Sequence, residues 1–228
     1  MANVLLGTKA VGSTIKLNVN GAAKEFIVVH QGKPSSLYDD SCNGTWLLMK
    51  DIYENRKWGS NTAYASSSIH TYLNSTFLGL FESNIQEAIK QVKIPYYGKN
   101  GEGSYSGADG LPAKIFLLAS SELNGKTTTK KDGNVLTYFD LNTGADARIA
   151  YLDGKATIWW TRTPVGLSLS YVTYVSAAGG VTGGSNNAGP AGSKGIRPAL
   201  VLPATLLVSD DGTVSTNTPP TITSTSGA

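Results

Sequence analysis

"IWWTRTP", residues 158–164, is the stretch on which the reading of this chain turns. Two of the four tryptophans stand side by side there, directly before an Arg and a Pro. Further on, after a run rich in Gly, Ser and Asn, a second Arg-Pro pair occurs in "GIRPALVLP", residues 195–203. "IAYLDGKATIWW" (149–160) reads as a hairpin that ends on the doublet, and adjacent tryptophans on a strand point to opposite faces. One then fills the core, and the other faces outward or into a groove. Arg162, two residues after Trp160, falls on the same side if the strand continues. Pro198 biases Arg197 toward extended backbone. A buried arginine needs acceptors, and carbonyls of the intervening Gly/Asn loops are the expected source. On this reading Trp159 and Arg197 are structural and staple a loop-rich half of the molecule.

Working outward, the chain has 228 residues, 40% of them hydrophobic and only 15% charged. One β-rich domain reaches this length, and such a composition buries a real core. Net charge is +3, and the one local basic cluster, "GKTTTKKDG" (125–133), reads as a polar hairpin loop. A nucleic-acid binder would carry a basic stripe, so no nucleic-acid partner is expected. The single cysteine, Cys42, excludes an intramolecular disulfide. No apolar run approaches the roughly 18 residues of a membrane span, so no membrane insertion is expected. The N-terminus "MANVLLGTKAVGS" lacks the apolar run of a secretory signal.

The pattern along the chain predicts mixed short strands and two adjacent helices. "STIKLNVNGAAKEFIVVHQG" (13–32) reads as a hairpin, with Ile15, Leu17 and Val19 alternating before an Asn20-Gly21 turn. "GTWLLMKDIY" (44–53) and "AKIFLLAS" (113–120) read as buried strands. Ile69, Tyr72, Leu73, Phe77 and Leu80 recur at helical spacing over 67–81. Ile85, Ala88, Ile89 and Val92 predict a second helix over 82–94, ended by Pro95. A further hairpin turns at Asp153-Gly154, and two short strands flank Gly179-Gly180. "RPALVLPATLLV" (197–208) is the last apolar strand, and 209–228 reads as a linker. The expected fold class is α+β, with long Gly/Ser/Asn-rich loops in the second half.

Most catalytic chemistry finds no residues to carry it. The two histidines, His30 and His70, read as structural or surface groups. No Gly-x-Ser-x-Gly elbow occurs. Three scattered Cys and His residues cannot build a zinc site, so no metal or cofactor is expected. "GPAGSKG" (189–195) lacks the spacing of a phosphate loop, and "GEGSYSG" (101–107) is not a dinucleotide fingerprint. Asp39-Asp40 and Asp210-Asp211 read as solvated turns, although an acidic pair formed at long range remains open. The expectation is a protein that is not an enzyme.

The Trp and Arg segments also carry a family resemblance. "WWTRTP…GIRPALVLP" resembles the W-W-x-R-[ST]-P…G-[IV]-R-P-A-L-x-L signature of an uncharacterised domain family common in phages and prophages of Gram-positive anaerobes. "VNGAAKEFIVVHQGKPSSLYDDSCNGTWLLMKDIYENRKW", "SSSIHTYLNSTFLGLF" and "IKQVKIPY" extend the likeness over nearly all of 1–208. The ending is similar to that of variable proteins made by diversity-generating retroelements. The resemblance implies a C-type-lectin-like fold of the formylglycine-generating-enzyme subtype, with loops converging on a ligand face. The enzyme branch of that fold needs two active-site cysteines, and this chain has only Cys42. "NTPPTITSTSGA" resembles the linker and first strand of an immunoglobulin-like module in phage tail proteins.

These readings converge on a phage virion surface protein, in a tail fibre, baseplate or capsid decoration. Its expected partners are other virion proteins and a host surface glycan or protein, and a homo-oligomer is expected. A secreted or cell-surface carbohydrate-binding adhesin is the alternative, and it would need an export signal. The expected ligand face is Trp160, Arg162, Tyr171, Tyr174, Asn186 and Asn187. Aromatic rings stack on sugars or peptide side chains, and Asn and Arg read hydroxyls and carboxylates. If instead the loops only contact neighbouring subunits, Tyr171 and Tyr174 become interface anchors.

Overall fold

The computed structural model describes residues 3–125, 132–166, 170–185, 192–209 and 211–215. Among these, ten strands carry the architecture: β1 (Thr14–Val19), β2 (Ala22–Gln31), β3 (Thr45–Met49), β4 (Glu54–Lys57), β5 (Ile115–Phe116), β6 (Trp159–Pro164), β7 (Tyr171–Val175), β8 (Val181–Ser185), β9 (Ser193–Ile196) and β10 (Ala199–Leu202). The first sheet is antiparallel throughout, in the order β5-β10-β3-β2-β1. The second runs β8-β7-β6-β9-β4, with β6 and β9 its one parallel pair.

The two sheets are joined by the same pair of chain segments. β3 leads into β4 through residues 50–53, and β9 leads into β10 through Arg197-Pro198. β3 pairs with β10 in one sheet, and β4 pairs with β9 in the other. A long two-stranded ribbon therefore bends once and belongs to both sheets. Proline suits this bend because it donates no ladder hydrogen bond. Gly195 is required beside it: a Cβ there would stand 2.7 Å from the Ile52 side chain.

The fold class corrects the expectation from sequence. The chain is mostly β, not an α+β fold with two adjacent helices. The first predicted helix forms as a single run of 13 residues, 68–80. The Ser67 hydroxyl accepts the His70 N–H and caps it. Asn74 anchors it to β5 by donating to the Ile115 carbonyl at 2.8 Å. The second predicted helix survives only as Ser83–Ala88. Beyond Ile89 the chain extends, and Val92–Ile94 pairs with Leu111–Ala113 as a two-stranded ribbon. Val92 and Ile94 are buried and Lys93 between them is less so, which is the period of a strand.

The hairpin turns lie where their dipeptides require. Asn20 and Gly21, and Asp153 and Gly154, all take positive φ. The body also runs past Val208: Val214–Ser215 pairs with Leu207–Val208, which in turn pairs with Val4–Leu5. Residues 209 and 211–215 thus pack as part of the domain, and 216–228 of the expected linker lie outside the described residues. No helix among the described residues is long and apolar enough to cross a membrane.

Candidate functional site

All six residues of β6 are buried. It is the central strand of its sheet, and both of its faces are covered. The Trp159 indole donates to the Arg148 carbonyl at 2.9 Å. The Trp160 indole donates to the Arg56 carbonyl at 3.0 Å, and its ring packs 5.4 Å from the Trp58 ring. The Lys194 ammonium sits 4.1 Å over Trp160 and 5.0 Å from Tyr174, covering Trp160 from outside. Trp160 was expected on a ligand face; it is instead fully buried, because Trp58 and Lys194 supply the second cover that an isolated strand lacks.

Arg162 is likewise an interior residue, 1% exposed. Its five N–H groups all find acceptors. Nη1 and Nη2 hold the two Glu122 oxygens at 2.7 Å each. The other three bonds go to the carbonyls of Pro95 (3.1 Å), Leu117 (2.9 Å) and Asp132 (2.7 Å). Glu122, also fully buried, accepts in addition from the Tyr38 hydroxyl and the Ala119 N–H, at 2.7 Å each. Next to it, Thr163 donates to the Asp132 carboxylate and accepts the Ser120 N–H at 2.9 Å.

One guanidinium therefore faces two buried carboxylates. Burial raises the Asp132 carboxyl to about 6, with Arg162 and Thr163 pulling the other way. Burial opposes the Arg162 charge, but Glu122 overrides it and holds the guanidinium above its ordinary range. Burial and then Glu122 push the Tyr38 phenol well up, so it remains a donor. The knot ties segments 95, 117–122 and 132 to β6, where little regular structure does so. Glu122, Asp132 and Tyr38 were not foreseen from sequence. The available signal was Arg162 itself: an arginine inside an apolar strand calls for an acid, and Glu122 follows the apolar run "IFLLA".

Arg197, also 1% exposed, sits at the bend between the sheets. It donates to the carbonyls of Met49 (2.8 Å) and Lys50 (3.0 Å), across the ribbon, and lies 5.1 Å from the Trp159 ring. The Trp doublet and the second Arg-Pro pair are therefore neighbours, and Trp159 is in register with Gly195.

Of the expected ligand face, Tyr171 is 48% exposed at the start of β7, and Tyr174 is half-buried against Trp160. Asn186 and Asn187 lie outside the described residues. Among the described residues of that set, Tyr171 and the edge of Tyr174 face outward, and Trp160 and Arg162 are drawn inside. The other reactive side chains are held in place. His30 bonds Thr137 through Nδ1 at 2.7 Å, and burial lowers both His30 and His70. The Cys42 thiol donates to the Lys93 carbonyl, and burial pushes it up to about 11. Among the described residues, no group of three or more His, Cys, Asp or Glu side chains converges on a metal position.

A family model described as a domain of unknown function, DUF6273, matches residues 43–204. The chain belongs to the DUF6273 family. The matched DUF6273 span contains the whole second sheet, the helical run, Glu122, Arg162 and Arg197, and it begins after β1, β2 and Tyr38. No curated protein and no solved structure matches the chain.

Proposed function

We propose that this DUF6273 protein is a non-enzymatic surface module of a bacteriophage particle. It serves in a tail fibre, baseplate or capsid decoration, attaching the particle to a host surface or holding neighbouring virion subunits. The observation that carries the non-enzymatic part is the Arg162 knot. The buried acidic pair, Glu122 and Asp132, is sealed in the interior and bonded to Arg162, Tyr38 and Thr163. A catalytic pair needs a face open to substrate, and these carboxylates have none. Tyr171, an outward residue of the same sheet, is an aromatic suited to contact rather than turnover. The phage assignment is supported by the likeness of the W-W-x-R-T-P and G-I-R-P-A-L-V-L segments to phage and prophage domains.

Immunogold labelling of intact particles, from a phage whose genome encodes the chain, tests the reading. Gold on the particle surface is the expected result, and particles free of the chain would overturn it. Tyr171→Ala should leave the melting temperature unchanged while lowering host adsorption or incorporation into particles.

A further inference from the structure

A second feature of the molecule lies away from the Tyr171–Tyr174 strand and shares no residue with it. Where the ribbon crosses between the sheets, two adjoining cavities of about 220 and 500 Å³ share Lys24, Lys50, Asp51, Ile52 and Tyr53. They form one groove along the seam. One bank is the start of β2 together with residues 50–53. The other is the 151–154 hairpin, carrying Tyr151 and Asp153.

The groove is held by backbone. The Ile52 N–H donates to the Tyr151 carbonyl, the Tyr53 N–H to the Ile196 carbonyl and the Lys50 N–H to the Glu25 carbonyl, each at 2.9 Å. Asp153 and Gly154 lock the hairpin tip in its tight turn. A site whose walls are already in place loses less entropy when it binds, and the larger of the two cavities, about 500 Å³, falls in the range of small-ligand sites.

Its chemistry narrows the occupant. Two cations, Lys24 and Lys50, stand against three carboxylates, Glu25, Asp51 and Asp153, which leaves 2 − 3 = −1. Lys50 and Glu25 are also paired with each other at 2.6 Å. Such a rim has little field with which to select an ion of either sign. It has both donors and acceptors on its banks, and aromatic surface between them. Tyr151 is 46% exposed. Tyr53 is fixed edge-on against Phe77 at 4.8 Å. Hydroxyl groups that donate and accept, on a body with apolar C–H faces, match that combination.

We propose that the seam groove binds a neutral saccharide, with Tyr151 as the stacking platform and Asp51, Asp153 and Lys24 reading hydroxyls. This site does not depend on the virion assignment, and its test is separate. Calorimetric titration of the full chain with maltotriose, triacetylchitotriose and sialyllactose should show binding of at least one neutral trisaccharide. Tyr151→Ala should weaken it about tenfold, the worth of one good aromatic contact. Asp153→Asn should weaken it as well, and Tyr171→Ala should leave it unchanged. Both groove residues are exposed, so circular dichroism should show all variants folded. Binding to neither neutral sugar, preference for sialyllactose, or an affinity indifferent to Tyr151→Ala would each overturn the proposal. Particle labelling would be unaffected by any of these outcomes.

Discussion

Two arginines in the same half of the molecule are equally buried and held in opposite ways. Arg162 spends all five N–H groups, two of them on a fully buried carboxylate. Arg197 has two carbonyls and the face of a tryptophan, its Nη1 has no partner, and burial lowers the guanidinium to about 10. The surroundings explain the contrast. Around Arg162 the chain is mostly loop, and five acceptors from distant segments are the means by which those loops are placed. Around Arg197 the ladders β3-β10 and β4-β9 already fix both strands, and the side chain adds a suture. Equal burial therefore does not imply equal structural weight: what counts is what each side chain would leave unpaired if removed.

The sharpest way to break this comparison is Arg162→Leu. It strands Glu122 as a buried, uncompensated charge, so the cost should be about 3–5 kcal/mol. That is a large share of the roughly 5–15 kcal/mol by which a domain is stable, and loss of cooperative urea unfolding is the expected readout. Glu122→Gln is the milder cut. Arg162 keeps its three carbonyls and loses the Glu122 counter-charge, for about 2–3 kcal/mol. Combining Arg162→Met with Glu122→Leu should recover part of the loss, with a coupling energy of up to about 3 kcal/mol in a double-mutant cycle. Strict additivity would mean that the two residues do not act as a unit.

A second probe uses pH. Asp132 has its carboxyl raised to about 6 in the folded state, against an ordinary value of 3.8. The folded state thus binds the proton more readily than the unfolded one. Its unfavourable contribution is fully present above about 6 and fades as pH falls toward 4, on the order of 2–3 kcal/mol. His30 and His70 act the other way: their lowered values mean stability lost as pH falls below 6.5. The two effects oppose each other, so the wild-type curve alone is not informative. The difference between wild type and Asp132→Asn isolates the carboxyl. It should rise in favour of wild type between pH 6 and pH 4 in parallel urea titrations. A flat difference would mean that Asp132 is not the group that carries the excess charge of the knot.

The parts of this fold legible in sequence are those decided by neighbours along the chain. Asn20-Gly21 and Asp153-Gly154 announce their turns because few other pairs tolerate positive φ twice in succession. Ile15, Leu17 and Val19 announce a strand with one buried face. The second helix was misread because Ile85, Ala88, Ile89 and Val92 satisfy a helical period while Val92 and Ile94 also satisfy a strand period. The choice is made by Leu111–Ala113, which offers a ladder to the second. The same holds at the candidate site. Whether Trp160 faces water depends on Trp58 and Lys194, and whether Arg162 reads a ligand depends on Glu122, 40 residues upstream. Alternation along β6 reports two faces but not what lies against each.

Arg197→Leu is the smallest effect expected and the one that sharpens the comparison most. The substitution removes two charge-assisted hydrogen bonds to carbonyls and leaves no buried counter-charge. It also removes a guanidinium that burial already disfavours and that has a donor without an acceptor. These terms oppose each other, so the net cost should be about 1 kcal/mol. Leucine keeps apolar contact with Trp159, so the seam should stay closed. Urea unfolding of Arg197→Leu should therefore remain cooperative, with its midpoint only slightly lowered, under conditions where Arg162→Leu no longer folds. If instead the two variants fail alike, the β3-β10 and β4-β9 ladders do not hold the bend by themselves. Arg197 would then be a second keystone, fixing the corner between the sheets as Arg162 fixes the loops.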